Sequence, residues 1–331
     1  MARTIGGGAR GAKMRRIAPY PEFNTLKLQG SQLGDNYKMF DYDGWHTAIS
    51  TLRKQQIFFI GGTIKSGTTW LQLLLDAHPE VSCKGEGHFL DLMAPALKMA
   101  MDQHGRFIAE RNQAVFNELG GYPRLTNEGL CSIVAFSIAV FLIEQSKHKT
   151  ATVIGEKTPD NVRHFQELEA LFPKAKFLLI VRDGRDCAVS GWFHNLRSSP
   201  EWAKKYGSLD VYASSMADIW AAELAKAQDF ADRHVDRTRQ VRFEDLVTNT
   251  EATLAGIFEF LGVEAPEGIL RHCQAHASFV KLSGGRNPGK EDRRSFFRKG
   301  VPGDWRNHFS DKVDAEFQKR AGTWLDRFGY R

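Results

Sequence analysis

A buried strand that breaks into a glycine-containing turn and then enters a helix constrains this chain more than any other feature. Residues Gln56 to Gly62 carry the run IFFIGG, which reads as a buried strand. Thr63 to Thr69 is a turn rich in Gly and Thr. Trp70 to Ala77 then places apolar residues at helical spacing, up to a stop at His78-Pro79. Strand, tight turn and helix in that order open a doubly wound α/β sheet.

The rest of the chain repeats the alternation without an internal sequence repeat. Val81 to Cys83 is a short second strand, and two or three helices follow between Phe89 and Gln145, interrupted at Gly120-Gly121-Tyr122-Pro123. Ala151 to Ile154 is a strand leading into GEKTPDN. Asn161 to Leu171 is helical, and Lys176 to Val181 (KFLLIV) is another buried strand, running into RDGRDCAVS. A helix over Met216 to His234, a strand at Gln240 to Phe243 and a helix over Thr250 to Leu261 come next. Ser283 to Asp304 is Gly-, Arg- and Lys-rich with no periodicity and reads as a long loop. Trp305 to Phe328 returns to helix. With 331 residues, the expectation is a single α/β domain over 23–331, a central parallel sheet flanked by helices, preceded by a basic, flexible arm over 1–22.

Two segments carry anion chemistry. GGTIKSGTTW sits at the carboxyl end of a strand and opens a helix, where free backbone N–H groups and the helix dipole bind phosphate. Gly67 allows close approach, Ser66, Thr68 and Thr69 add hydroxyl donors, and Lys65 adds a charge. The Walker order places lysine after the glycine, whereas Lys65 precedes Ser66-Gly67, which argues against a standard Mg-ATP site. In FLLIVRDGRDCAVSGWF, Arg182 ends the strand and Ser190 lies about two helical turns on, so a guanidinium fork and a hydroxyl can share a terminal phosphate.

Together, IKSGTTW and VRDGRDCAVS resemble the two cofactor elements of the sulfotransferase superfamily, which uses 3′-phosphoadenosine 5′-phosphosulfate (PAPS). The likeness runs from Ile57 to Phe309 and takes in VRFEDL, HASFVKL and FFRKGVPGDWRNHF. It implies a P-loop-like sulfotransferase fold and sulfuryl transfer from PAPS to an acceptor hydroxyl or amine. It also implies phosphate contacts at Arg298, Lys299 and Gly300, and cofactor-side aromatics at Trp70, Phe279 and Phe243. Cytosolic sulfotransferases usually have proline where Ile64 stands and carry a catalytic histidine in a Lys-Thr-His-Leu-Pro segment, which this chain lacks. LDAHPEVSCKGEGHFLDLM resembles instead the tyrosylprotein sulfotransferases. In that group a glutamate after Asp-Ala-His-Pro-Glu-Val is the base, matched by Glu86 with one residue, Lys84 or Gly85, inserted. Their catalytic lysine is matched by Lys157 in GEKTPDN.

The mechanism this implies needs a base for the acceptor proton. Glu86 is the first candidate, His88 with its imidazole the second, and Glu156 a third whose structural role as ion pair or cap is preferred. Lys65 would stabilise the bridging oxygen of the leaving phosphate, assisted by Lys157 or Ser190, by analogy with phosphoryl transfer. No metal is expected, because no clustered ligand motif is present. The loop 283–303, with Arg286, Lys290, Arg293, Arg294, Arg298 and Lys299, reads as a lid. Its Phe296 and Phe297, and Trp305 just beyond, are too apolar to be left in water.

The competing readings are a P-loop-type kinase using ATP and a nucleic-acid binder. Scattered basic residues argue against the latter, and the net charge of +6 suits an anionic ligand. Four dispersed cysteines point to a reducing, cytoplasmic setting. The N-terminus has no apolar core of a signal sequence, and the longest apolar stretch, Ile133 to Ile143, falls short of the ~20 residues that span a bilayer. Small alcohols or phenols, glycans, lipids and peptides all stay open as acceptors, as does the oligomeric state.

Overall fold

The computed structural model describes residues 41–116 and 120–330, so the arm expected over 1–22 lies outside the described residues. The chain divides into two units, Met1–His46 and Thr47–Arg331, and apart from the first residues of one helix all that follows concerns the second.

Five strands form one sheet: β1 (Gln56–Gly61), β2 (Val81–Lys84), β3 (Val153–Lys157), β4 (Lys176–Val181) and β5 (Thr238–Arg242). Their order is β2-β3-β1-β4-β5 and every pairing is parallel. Thirteen α-helices are found among the described residues. The first six are α1 (Tyr42–Leu52), α2 (Thr68–Asp76), α3 (Ala94–Val115), α4 (Asn127–Ser146), α5 (Phe165–Leu171) and α6 (Gly184–Ser198). Then come α7 (Pro200–Tyr206), α8 (Leu209–Arg233), α9 (Phe243–Thr248), α10 (Thr250–Leu261), α11 (Glu267–His276), α12 (Phe279–Leu282) and α13 (Asp311–Arg327).

Helices cover both faces of the sheet, so alternate side chains of one strand enter different cores. On β4, Phe177, Leu179 and Val181 pack with Trp220 of α8 and Phe317 of α13. Leu178 and Ile180 pack with Leu71 and Leu75 of α2 and with Phe258 of α10. On β1, Phe59 joins the first core, and Phe58 and Ile60 join the second. This double coverage is why IFFIGG and KFLLIV are apolar without alternation. Because β1 lies inside the sheet and the chain leaves it in both directions, the loops after the strands open into one crevice at their carboxyl ends.

Several boundaries differ from the sequence reading. β3 runs on through Gly155-Glu156-Lys157, in register with Phe58 to Ile60 of β1, where a strand ending at Ile154 was expected. Partners from distant loops satisfy the two charged side chains there, and local composition cannot show this. α8 begins at Leu209, earlier than Met216, because Ser208 caps it by accepting from the Val211 N–H at 3.4 Å. The expected helix over 305–328 is broken into a 3₁₀ turn at Asp304–Asn307 and α13, which Ser310 caps. α4 passes unbroken through Ser137, whose hydroxyl donates back to the Ile133 carbonyl at 2.8 Å. By length and composition α4 could cross a membrane, while its Val134, Ile138, Ala139 and Leu142 sit in the core beside the sheet.

Candidate active site

The loops after β1 to β4, α9 following β5, and the C-terminal loop border a cavity of about 560 Å³. Lys65, Gly67, Thr68, Thr69 and Trp70 line it from the loop after β1 and the start of α2, and Glu86 from the loop after β2. Arg182 lines it from just after β4 and Ser190 from α6, Phe243 from α9, and Phe279, Arg298, Lys299 and Gly300 from the C-terminal part. Ser66, His88 and Lys157 are not in the lining.

At the first loop, Gly67 has φ 101°, and a Cβ there would come 2.5 Å from the Phe243 ring. Glycine is therefore needed both for the turn and for the aromatic packed beneath it. Trp70 packs edge-on to the same ring and donates its indole N–H to the Ala277 carbonyl at 2.8 Å. Lys65 lies 4.4 Å over the Phe296 ring. Burial, with the Arg197 and Arg182 guanidinium groups nearby, lowers its pKa to about 8.

The two arginines of VRDGRD separate in role. Arg182 stacks 4.4 Å over Phe243, donates to the Lys65 carbonyl at 3.2 Å and faces the cavity. Arg185 is buried away from it, donating to Asp183, to Asp314 and to the Tyr330 carbonyl, with its guanidinium on Trp305. Asp186 accepts from the Gly303 and Trp305 backbone N–H groups at 2.6 and 2.9 Å, which ties α6 to the C-terminal loop.

That loop is internally braced. Arg286 donates to the Lys290, Phe297 and Arg298 carbonyls, and Gly289 N–H donates to Lys299 at 2.8 Å. Arg298 and Lys299 both pair with buried Asp304, which also accepts from Asn307. Burial alone would raise the Asp304 pKa, but these donors outweigh it and hold the carboxylate well below its usual range. Gly300 has φ 70°, and a Cβ there would sit 2.3 Å from Phe279. Trp305 is buried as its apolar character requires, whereas Phe296 stays 45% exposed at the cavity edge.

Three buried donors at or beside the cavity find no hydrogen-bond partner among the described residues: Ser66 Oγ, Arg182 Nε and Arg298 Nε. A polar group left unpaired in the interior costs about 1–3 kcal/mol. A ligand with anionic groups at two ends fits this arrangement, with the Gly67 and Gly300 backbones open to it.

At the end of β3, Lys157 is buried and donates to Glu86 Oε1 and to Thr69 Oγ1, the latter at 3.2 Å. Glu156 is fully buried. It accepts from Thr158, Asn161 and the Gly87 N–H, and burial raises its pKa despite those donors. Its role is structural: it fixes the loop that carries Glu86.

Sequence reasoning missed His194, Asn195 and Phe296 as lining residues. His194 follows Ser190 at i+4 on α6, a helical spacing that points to it once Ser190 is placed, whereas Asn195 at i+5 is not marked by that spacing. Burial, Lys65 and Arg197 lower the His194 pKa to about 4. Its Nδ1 lies 2.9 Å from Arg197 Nη2, so the neutral ring carries its proton on Nε2.

A parallel sheet with two strand-to-helix junctions that both line one cavity, the first with Lys65 and the Gly67–Thr69 helix start and the second with Arg182 and Ser190, defines a P-loop-like α/β protein built to hold a ligand anionic at both ends. The chain belongs to the sulfotransferase family, whose profile matches residues 57–267. It is 27% identical over 250 residues to protein-tyrosine sulfotransferase 2 of Gallus gallus, covering 72% of this chain and 59% of that protein. To the protein-tyrosine sulfotransferase of Drosophila melanogaster it is 28% identical over 267 residues, covering 79% and 46%. The chain thus spans about half the length of these relatives. A mouse sulfotransferase complexed with PAP superposes with TM-score 0.51 at 17% identity, covering 86% of this chain and 94% of that one. A Mycobacterium avium sulfotransferase gives TM-score 0.51 at 12% identity, covering 87% and 81%. These two structures show the shared fold.

Proposed function

We propose that the chain transfers a sulfuryl group from PAPS to an acceptor hydroxyl by in-line displacement, releasing 3′-phosphoadenosine 5′-phosphate (PAP). The observation that carries this is one cavity lined by the Lys65–Thr69 loop, by Arg182 and Ser190, and by Glu86. Lys65 and the Gly67–Thr69 backbone hold the 5′-phosphosulfate, and Lys65 neutralises charge on the bridging oxygen as the S–O bond breaks. Arg182, Ser190, Arg298, Lys299 and the Gly300 N–H hold the 3′-phosphate. Trp70 and Phe279 flank the adenine, and Phe243 supports both Gly67 and Arg182 from below. Glu86 accepts the acceptor's proton, and Lys157 orients it.

A phenolic acceptor such as a tyrosine side chain is favoured. The relatives are protein-tyrosine sulfotransferases, and the segments holding Glu86 and Lys157 resemble that group. A cytoplasmic setting is supported by four free cysteines, three of them buried. The kinase reading is not favoured: the lysine precedes Ser66-Gly67, and the family is that of sulfotransferases. Nucleotide competition tests the choice. PAP is expected to bind without Mg²⁺ at least ~100-fold more tightly than ATP, because ATP lacks the 3′-phosphate that the Arg182 and Arg298 side claims. Tighter Mg-ATP binding would refute it.

A further inference from the structure

Glu86 borders the cavity while both its carboxylate oxygens are held from behind. Buried Lys157 takes Oε1, and His88 Nε2 lies 3.3 Å from Oε2. The other ring nitrogen, His88 Nδ1, lies 2.7 Å from Asp91 Oδ2. An imidazole with a carboxylate on each nitrogen is a double donor, the charged form. The backbone fixes the ring's direction: His88 has φ 48°, its N–H donates to Thr158 Oγ1 at 3.3 Å, and the Gly87 N–H donates to Glu156 at 3.0 Å. His88 is absent from the cavity lining and its Nε2 faces Glu86, so it is not placed to take a proton from an acceptor.

We propose that Asp91 and His88 form a positioning pair for the base: Asp91 holds the imidazolium, and His88 with Lys157 clamps the Glu86 carboxylate so that its remaining lone pairs face the acceptor. The proposal rests on Glu86 being the base. The acceptor proton passes to Glu86 as the acceptor O–S bond forms, and the sulfur–bridging-oxygen bond breaks with its electron pair going to the 5′-phosphate of PAP. His88 keeps its protons throughout.

Charge supports this arrangement. Glu86, Asp91 and the neighbouring Asp160 meet Lys157, charged His88 and Arg163, the partner of Asp160, while buried Glu156 also feels the charge of Lys157 and Glu223 also pairs with Arg163, so each carboxylate on His88 has a cation facing it. Lys65 and His194 face Glu86 as well. Burial opposes a charge on His88, but the Asp91 and Glu86 carboxylates outweigh it and raise its pKa. His88, Asp91 and Asp160 bring ligand atoms within 4.8 Å of one another, and each is already engaged by a protein partner.

The test compares His88→Asn, His88→Arg, Asp91→Asn and Asp91→Glu in the full chain. PAP binding is read by calorimetry, PAPS turnover with a tyrosine peptide and with 2-naphthol as probes, and the His88 ring by NMR titration. Expected are PAP affinities within about twofold of wild type and a kcat about 10–100-fold lower in His88→Asn and Asp91→Asn. The acid limb of the pH–rate profile moves to higher pH in His88→Asn, since a carboxylate without a neighbouring cation takes up protons more readily. His88→Arg brings the limb back, and Asp91→Glu restores the kcat lost in Asp91→Asn. In the NMR titration, Asp91→Asn lowers the His88 pKa. An active wild type whose acid limb is the same in His88→Asn, or a lost kcat that arginine does not restore, overturns the proposal. Wild-type protein that neither binds PAP nor turns over PAPS overturns the sulfuryl-transfer reading instead, and the proposal with it.

Discussion

The lowered pKa of Lys65, about 8 in the ligand-free protein, gives PAP binding a pH dependence that can be worked out in advance. Burial lowers it, together with Arg197 and Arg182. A bound 5′-phosphate favours the charged form, so the bound-state pKa rises. At about pH 7 the lysine is charged in both states and binding takes up almost no proton. At about pH 9 some nine-tenths of the free protein has a neutral Lys65, so binding must draw in ~0.9 proton. Affinity then falls about tenfold between pH 7 and 9, the factor by which the neutral form outweighs the charged one. Calorimetry in two buffers of different ionisation enthalpy measures the uptake directly. Lys65→Met has no such group, and its weaker PAP affinity should be nearly flat over this range. Wild-type binding without proton uptake at pH 9, or the same slope in Lys65→Met, would refute the reasoning.

Arg182→Ala and Arg185→Ala should separate cleanly although they lie three residues apart. The first weakens PAP by about 10²-fold with little change in stability, as for loss of a charge-assisted contact. The second leaves Asp183 buried without its partner and should cost about 3–5 kcal/mol in denaturant unfolding; equal behaviour of the two would count against the assignment. Glu86→Gln keeps shape and donors but cannot take a proton, so PAP binding should survive while kcat falls ~10²–10⁴-fold. Near-normal turnover would remove Glu86 as the base.

Much of this protein is written in short stretches of its sequence. IFFIGG and KFLLIV are apolar because helices cover both sheet faces. Lys65 to Trp70 and Arg182 to Ser190 are each one strand end plus one helix start, so their anion-binding character follows from local backbone geometry alone. The parallel sheet and six of the cavity residues, Lys65, Gly67, Thr68, Thr69, Arg182 and Ser190, were legible in that way, and seven more, Trp70, Glu86, Phe243, Phe279, Arg298, Lys299 and Gly300, came only from the family resemblance. Tertiary structure decided the rest. Glu86 and His88 are two residues apart and chemically comparable, yet only Glu86 borders the cavity, because Lys157, Thr158 and Glu156 of a strand some seventy residues on set the loop's direction. Glu156, the third candidate base, for which a structural role was preferred, is a buried anchor held by Thr158, Asn161 and the Gly87 N–H. Asp304 gathers Arg298 and Lys299, and Asp186 grips the same loop from 117 residues away. Such pairings have no period or spacing that sequence could show, because they form only where loops from separate strands meet at one sheet edge and buried charges must find partners there.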